Sequence, residues 1–219
     1  MAYVKIQRIE KFWPVPRKGK TYVASATHNN HDSIPLIIVM RDILKLLKTK
    51  KELKKLLNEK IILINGKEIR ECSYPVGLFD ILSLKSLNKN YKVNLNKTKK
   101  MAFEEILDKE INKKTLKILG KKVIGKNKIQ LNLMDGRNIL TKENVKIGDS
   151  VIYNFKDKKI ESIIKMEKGI RGLVTKGKHM GQNGKIEEIV ERGGKLIAKI
   201  KTGDEKINVW VKNLIALEK

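Results

Sequence analysis

Turn dipeptides divide this chain into pieces too short for anything but small elements. Asn65-Gly66, Asp135-Gly136, Gly148-Asp149, Gly193-Gly194 and Gly203-Asp204 each set residues tolerant of positive φ between apolar runs of a few residues. Over 219 residues, 33% charged against 41% hydrophobic favours several small cores rather than one large one. Two or three domains are expected.

The charge is lopsided. Lysine and arginine number 49 against 24 acids, a formal net charge of +25, and a field of that sign favours a polyanionic partner. Seven of the 49 are arginines (Arg8, Arg17, Arg41, Arg70, Arg137, Arg171, Arg192), leaving 42 lysines, which are mobile point charges suited to phosphates rather than base edges. Codon bias or thermal adaptation would explain residue choice but not a two-to-one imbalance of sign. An anionic membrane surface is the other candidate polyanion. No transmembrane-length apolar run, secretory signal or long basic amphipathic helix is legible, so no membrane partner is expected.

Cys72 is the only cysteine, so no intramolecular disulfide can form and no paired-cysteine zinc spacing exists; a reducing, cytoplasmic setting fits. His28 and His31 have a metal-like spacing without a third ligand nearby, and are read as loop residues that contact phosphate rather than metal.

Residues 1–32 read as an extended basic arm. Trp13, Pro14, Pro16 and Gly19 lie among Arg8, Lys11, Arg17, Lys18 and Lys20 with little helical or strand period. Cations interleaved with an aromatic ring can follow phosphates and stack on an unpaired base. The alternative is a segment that packs on its own domain; RNA contact is the favoured reading.

Residues 33–86 read as a small RNA-binding module of two helices and a hairpin. Leu36, Met40, Ile43 and Leu47 form one stripe of a helix entered through Pro35, with Arg41, Lys45 and Lys48 on another face. Thr49-Lys50-Lys51-Glu52 is a capping-box pattern that starts a second helix, with Leu53, Leu56 and Leu57 inward. Lys50, Lys51, Lys54 and Lys55 are then left for solvent or phosphate. Ile61 to Ile64 and Lys67 to Arg70 flank the Asn65-Gly66 turn as a hairpin. Solvated helix faces also carry lysine, but only Asp42, Glu52 and Glu59 dilute this cluster.

Residues 87–168 turn mostly to strands, with a short helix expected between Phe103 and Leu107. Ile129, Leu131 and Leu133 alternate with Gln130 and Asn132 before Asp135-Gly136, and Gly148-Asp149 precedes Val151 to Phe155, so the block reads as a small antiparallel barrel or sandwich. In residues 169–219, Leu173-Val174, Gly184 to Val190, Lys195 to Lys201, Lys206 to Val211 and Asn213 to Leu217 are short strands of an SH3-like barrel. Ile207, Val209 and Val211 face its core; Trp210, on the other face with Asn208 and Lys212, is a rim packing residue or a stacking platform.

Nothing points to catalysis, a cofactor or a small-molecule substrate. Gly177, Gly181 and Gly184-Lys185 resemble a phosphate loop only superficially, because His179 and Ile186 stand where that loop needs a glycine and a hydroxyl. No Ser/His/Asp arrangement or paired carboxylates of recognisable context occur.

Several segments resemble one family. Ile34-Pro35-Leu36-Ile37-Ile38-Val39-Met40-Arg41-Asp42, Asn65-Gly66-Lys67, Tyr74-Pro75-Val76-Gly77 and Asp80-Ile81 are similar to the first module of the archaeal and eukaryotic small-subunit ribosomal protein of the S-four-e type. Gln130 to Asn138 resembles its central signature and Lys146-Ile147-Gly148-Asp149-Ser150 the turn that follows it. Val174 to Ile189 resembles its KOW motif, and Trp13 to Lys18 its arm. The arm here opens without the family's dense lysine run, and the usual Arg-Leu-Asp opening of the first module is represented only by Arg41-Asp42.

The resemblance implies an α+β multidomain chain: a small α/β RNA-binding module, a central antiparallel β domain and a C-terminal SH3-like KOW β-barrel. It implies a non-enzymatic constituent of the small ribosomal subunit, whose partners are small-subunit rRNA and neighbouring ribosomal proteins. The expected RNA contacts are Arg8, Lys11, Trp13, Arg17, Lys18, Lys20, His28 and His31; Arg41, Lys45, Lys48, Lys50, Lys51, Lys54, Lys55, Lys67 and Arg70; Arg137; and Lys176, Lys178, His179 and Lys185 in the KOW loop, where glycines serve backbone geometry. The alternatives are a KOW-containing transcription or translation factor that binds RNA transiently, an RNA-modifying enzyme and a generic RNA chaperone.

Overall fold

In the computed structural model, which describes residues 2–107, 110–125, 128–203 and 205–218, the chain is mostly β and divides into two units, 1–112 and 113–219. Among the described residues of the first unit, α- and π-helix is confined to Leu36–Ile38 continuing as a π-turn through Val39–Ile43, and to Lys50–Asn58, with a short 3₁₀ turn at Ile6–Arg8.

The N-terminal segment is not an extended arm. Tyr3–Lys5 pairs antiparallel with Tyr22–Ala24, and Ile6, Ile9, Phe12, Trp13 and Val15 are buried between them. The Met101 amide donates to the Phe12 carbonyl at 3.0 Å and the Lys100 ammonium to the Trp13 carbonyl at 3.4 Å, so the segment is stitched to its own unit. Burying several large apolar side chains, at about 1.5–3 kcal/mol each, outweighs the extended form that the prolines favour.

Leu36 to Met40 are almost wholly buried, and Ser33–Pro35 leads into them by pairing with Pro75–Gly77. The expected stripe through Leu47 stops early. Lys45 adopts φ +54°, and the Leu46 and Leu47 amides both turn back to the Met40 carbonyl, closing the helix after its π-turn. The second helix starts where the capping box places it. The Glu52 amide donates to the Thr49 hydroxyl oxygen at 3.3 Å, and the Glu52 carboxylate accepts from the Lys48 amide at 2.9 Å.

The first unit's five-stranded antiparallel sheet runs in the order Lys67–Glu68, Ile62–Ile64, Ile81–Leu84, Lys89–Leu95, Met101–Glu105. The expected boundary at 86/87 therefore falls inside a hairpin, and the strands beyond it complete the first module's sheet. The expected helix after Phe103 is instead the edge strand, with Phe103 opposite Val93 and Met101 opposite Leu95. Met-Ala-Phe-Glu-Glu has good helix propensity, but a waiting sheet edge overrides it.

In the second unit the long strand Lys113–Val123 bends at a bulge and pairs with two neighbours. The sheet order is Asn138–Thr141, Ile129–Leu133, Lys113–Val123, Ser150–Asn154, Lys159–Ile164, over a core that includes Leu116, Ile118, Leu131, Leu133 and Val151. A second sheet runs Glu205–Trp210, Lys195–Thr202, Asn183–Arg192, Arg171–Val174, Leu214–Leu217, over Val174, Ile186, Ala198, Ile200, Ile207, Val209, Val211 and Leu214. Among the described residues its pairings leave it open at both edges rather than closed into a barrel. Asp204 of the expected Gly203-Asp204 turn lies outside the described residues.

Candidate nucleic-acid interface

The motif residues are folding devices. The buried Asp80 carboxylate accepts from the Asn65 side-chain amide at 2.7 Å and the Gly77 backbone amide at 2.6 Å, while the Asn65 side-chain oxygen accepts from the Ile81 amide at 2.9 Å. One clip thus ties the Asn65-Gly66 turn to Pro75–Gly77 and Ile81–Leu84. In the second unit the buried Asp149 carboxylate accepts the amides of Lys146 and Met166, and the Ser150 hydroxyl accepts the Ala216 amide at 3.0 Å. Such satisfied buried groups specify a fold; RNA contact must come from elsewhere.

Two arrays of exposed cations stand out among the described residues. The first is the outer face of the Lys50–Asn58 helix, where Lys50, Lys51, Lys54 and Lys55 are all exposed, because Leu53 and Leu57 take the buried face. Lys51, Lys54 and Lys55 border a shallow open depression with Asn58 and Glu59, and among the described residues only Lys55 has an ion pair there, a loose one to Glu59 at 4.0 Å. Lys45 and Lys48 are exposed on the approach to this helix.

The second array is only partly legible in the sequence. On the C-terminal sheet Arg171 lies opposite Lys185, Lys185 opposite Lys201, and Lys201 opposite Lys206. Directly paired residues project from one face, and Ile186, Ile200 and Ile207, one position along, fill the core on the other. The result is a cross-strand row of four exposed cations, partly offset by Glu187, 3.0 Å from Lys206. Like charges opposite one another repel, so such a row is a cost that an anion would relieve. Lys185 is among the residues expected from sequence; Arg171, Lys201 and Lys206 are not, because their adjacency depends on strand register.

The other expected contacts are dispersed. Trp13 is 3% exposed, so it cannot stack on a base in this conformation, and its indole N–H meets no acceptor among the described residues. The Arg17 guanidinium donates to the Ile9 carbonyl at 3.1 Å. Arg41 is held by Asp42, with one N–H to carboxylate distance of 2.7 Å; that hydrogen bond raises its already high pKa, and Lys20 approaches the same carboxylate at 3.7 Å. His31 pairs with Glu10 at 3.1 Å and His28 stands edge-on to Tyr74. Among the described residues no group of three or more His, Cys, Asp or Glu could hold a metal ion. Arg137 lies over the rings of Tyr153 and Phe155 and 3.0 Å from Asp135, a clamp rather than a free contact. His179 bonds the Gln182 side chain at 3.2 Å within the loop that Lys176 and Lys178 line as exposed residues. Arg8, Lys11, Lys18, Lys67 and Arg70 are exposed but fall outside both arrays.

Two lysines of the strand Lys113–Val123 are buried, Lys114 at 5% exposed and Lys117. Lys117 is 4% exposed, and its ammonium donates to the carbonyls of Val211, Lys212 (3.0 Å) and Leu214 (2.6 Å). Burial pushes its pKa down to about 8. This cage fastens the central sheet to the turn before the last strand.

The sequence profile described as the ribosomal family S4e matches residues 87–160. A small ribosomal subunit protein eS4 of Methanosphaera stadtmanae is 37% identical over 190 residues, spanning 85% of this chain and 79% of that protein. The eS4 of Nanoarchaeum equitans is 32% identical over 213 residues, spanning 94% and 91%. The crystal structure of the 30S ribosomal protein S4e from Thermoplasma acidophilum superposes with a TM-score of 0.73 at 27% identity, covering 85% of this chain and 95% of that one. With shared segments running through both units and a shared fold, the chain belongs to the eS4 family of small ribosomal subunit proteins.

Proposed function

We propose that the chain is a non-catalytic structural constituent of the small ribosomal subunit, acting in the cytoplasm by binding small-subunit rRNA and holding its segments in place. The observation that carries this reading is the pair of exposed cation arrays on two compact units, one on the Lys50–Asn58 helix and one across the C-terminal sheet. Two such arrays on one chain can neutralise phosphates from two RNA segments. Each neutralised phosphate releases condensed counterions, so affinity falls steeply with salt. Lysine-rich, flat faces read the shape and backbone of RNA rather than base edges.

In this reading residues 2–112 form the RNA-binding module, 113–168 the central β domain and 169–219 the KOW module. The last sheet is proposed to curl into an SH3-like barrel. Its fifth strand returns to pair with its first, the topology such a barrel needs, and the loop of residues 175–182 leads into the strand that carries Lys185.

The test is sedimentation of a tagged chain from lysate through a high-salt gradient, quantified against small-subunit RNA. About one copy per small subunit is expected for a constituent of a defined particle. Release into the soluble fraction, or migration with RNA polymerase, would instead assign a transient RNA-binding factor.

A further inference from the structure

A groove of about 410 Å³ in the second unit takes no part in either cation array. Three separate backbone devices bring apolar side chains into it. Leu119 is the bulge residue of the strand Lys113–Val123; Ile147 precedes Gly148, which sits at φ +102°; Leu196 follows the Gly193-Gly194 turn. Trp210 closes one side. These four are 53%, 62%, 51% and 48% exposed. Single exposed apolar residues are ordinary, but four converging on one preformed concavity mark an interaction site. The walls are also firm, because the Lys117 cage holds the 211–214 backbone that lines one of them.

The chemistry of the groove selects the occupant. Its walls are largely aliphatic and offer little to the hydrogen-bonding edges of a base, and the ring of Trp210 is already engaged by the Lys195 ammonium 4.5 Å from its centroid. Its rim carries Lys195 and Lys212, and among the described residues no acidic side chain lines it. An apolar slot with a cationic rim is complementary to an apolar side chain flanked by carboxylates. We infer that this groove docks a short segment of a neighbouring protein of the subunit, inserting one or two large apolar side chains between Leu119, Ile147, Leu196 and Trp210, with acidic residues on Lys195 and Lys212. The inference rests on the ribosomal reading and adds to it the face that is turned to protein rather than RNA.

The experiment places the photoreactive amino acid p-benzoylphenylalanine at Leu196 of the full chain, isolates small subunits and irradiates them. A single protein adduct is expected, its cross-linked peptide bearing an apolar residue within a few positions of Asp or Glu. In the same Leu196-labelled chain, Lys195→Glu with Lys212→Glu should cut the yield about tenfold by opposing like charges, with thermal stability retained because both side chains are exposed. An RNA adduct, a protein adduct lacking nearby acids, an undiminished yield in the charge-reversed chain, or no adduct from subunits that contain the labelled chain would each overturn the groove assignment and leave the ribosomal reading standing. Absence of the labelled chain from subunits that do retain the unlabelled chain would show that the groove's filling is needed for incorporation, which supports it. If neither chain enters subunits, both readings fall together.

Discussion

Replacing Lys117 by methionine keeps the length and apolar stem of the side chain and removes only the charge. In the wild type the buried ammonium is pushed down from 10.5 to about 8, because burial disfavours the charged form. Below pH 8 the folded and unfolded chains both hold this proton. Between about 8 and 10.5 the unfolded chain holds it and the folded chain does not, so stability rises with pH across that window and levels off above it. At 1.36 kcal/mol per pKa unit, the full rise is about 3 kcal/mol. All other lysines are common to both proteins and cancel in the difference. The assay is urea unfolding followed by the fluorescence of Trp210, in a Trp13→Phe background so that the second unit alone reports, at a series of pH values from 7 to 10.5. Wild type should gain on Lys117→Met by about 3 kcal/mol over that range. A flat difference, or one that shrinks as pH rises, would refute the argument, the latter showing that the carbonyl dipoles outweigh burial and raise the pKa.

Other substitutions separate binding from folding. Changing Lys50, Lys51, Lys54 and Lys55 together to alanine should leave thermal unfolding nearly unchanged and flatten the plot of log affinity for small-subunit rRNA against log salt by about 0.7–0.9 for each phosphate no longer neutralised; an unaltered slope would remove that helix from the interface. Arg171→Gln with Lys185→Gln and Lys201→Gln should also flatten the slope but raise stability by a few tenths of a kcal/mol, as cross-strand repulsion is relieved; a loss of stability in denaturant titration would show the row to be structural. Gly184→Ala drives a Cβ into the Lys201 carbonyl oxygen, a backbone atom that cannot swing aside, and should cost about 3 kcal/mol in the same titration. Asn65→Ala removes the bonds to Asp80 and Ile81 and should destabilise the first unit by about 2 kcal/mol, read by Trp13 fluorescence.

What is legible in the sequence is local. Asn65 and Gly66 both adopt positive φ in a hairpin, Thr49 caps the second helix, and Ile207, Val209 and Val211 alternate into the core with Trp210 outside, because turns, caps and period-two alternation are decided within a few residues. What is hidden depends on distant partners. Trp13 reads as a stacking residue beside its lysines until the strand at Met101 hydrogen-bonds the neighbouring Phe12. The helical propensity near Phe103 yields to a sheet edge for the same reason. The row from Arg171 to Lys206 requires the registers of three hairpin pairings, and no single stretch of sequence states them. Lys117 looks like any other lysine of a basic strand; only the return of residues 211–214 makes it interior.

In the proposed function, the Lys50–Asn58 face and the cross-strand row rest on RNA inside the small subunit. This is tested most directly by quantitative amine labelling of every lysine, in the free chain and in purified subunits, before and after ribonuclease digestion. Lys50, Lys51, Lys54, Lys55, Lys185 and Lys201 should react readily in the free chain, be protected in subunits and regain reactivity when the RNA is digested, while Lys117 should react in none of the folded states. Persistent reactivity of both arrays in intact subunits, or protection that survives removal of the RNA, would contradict it.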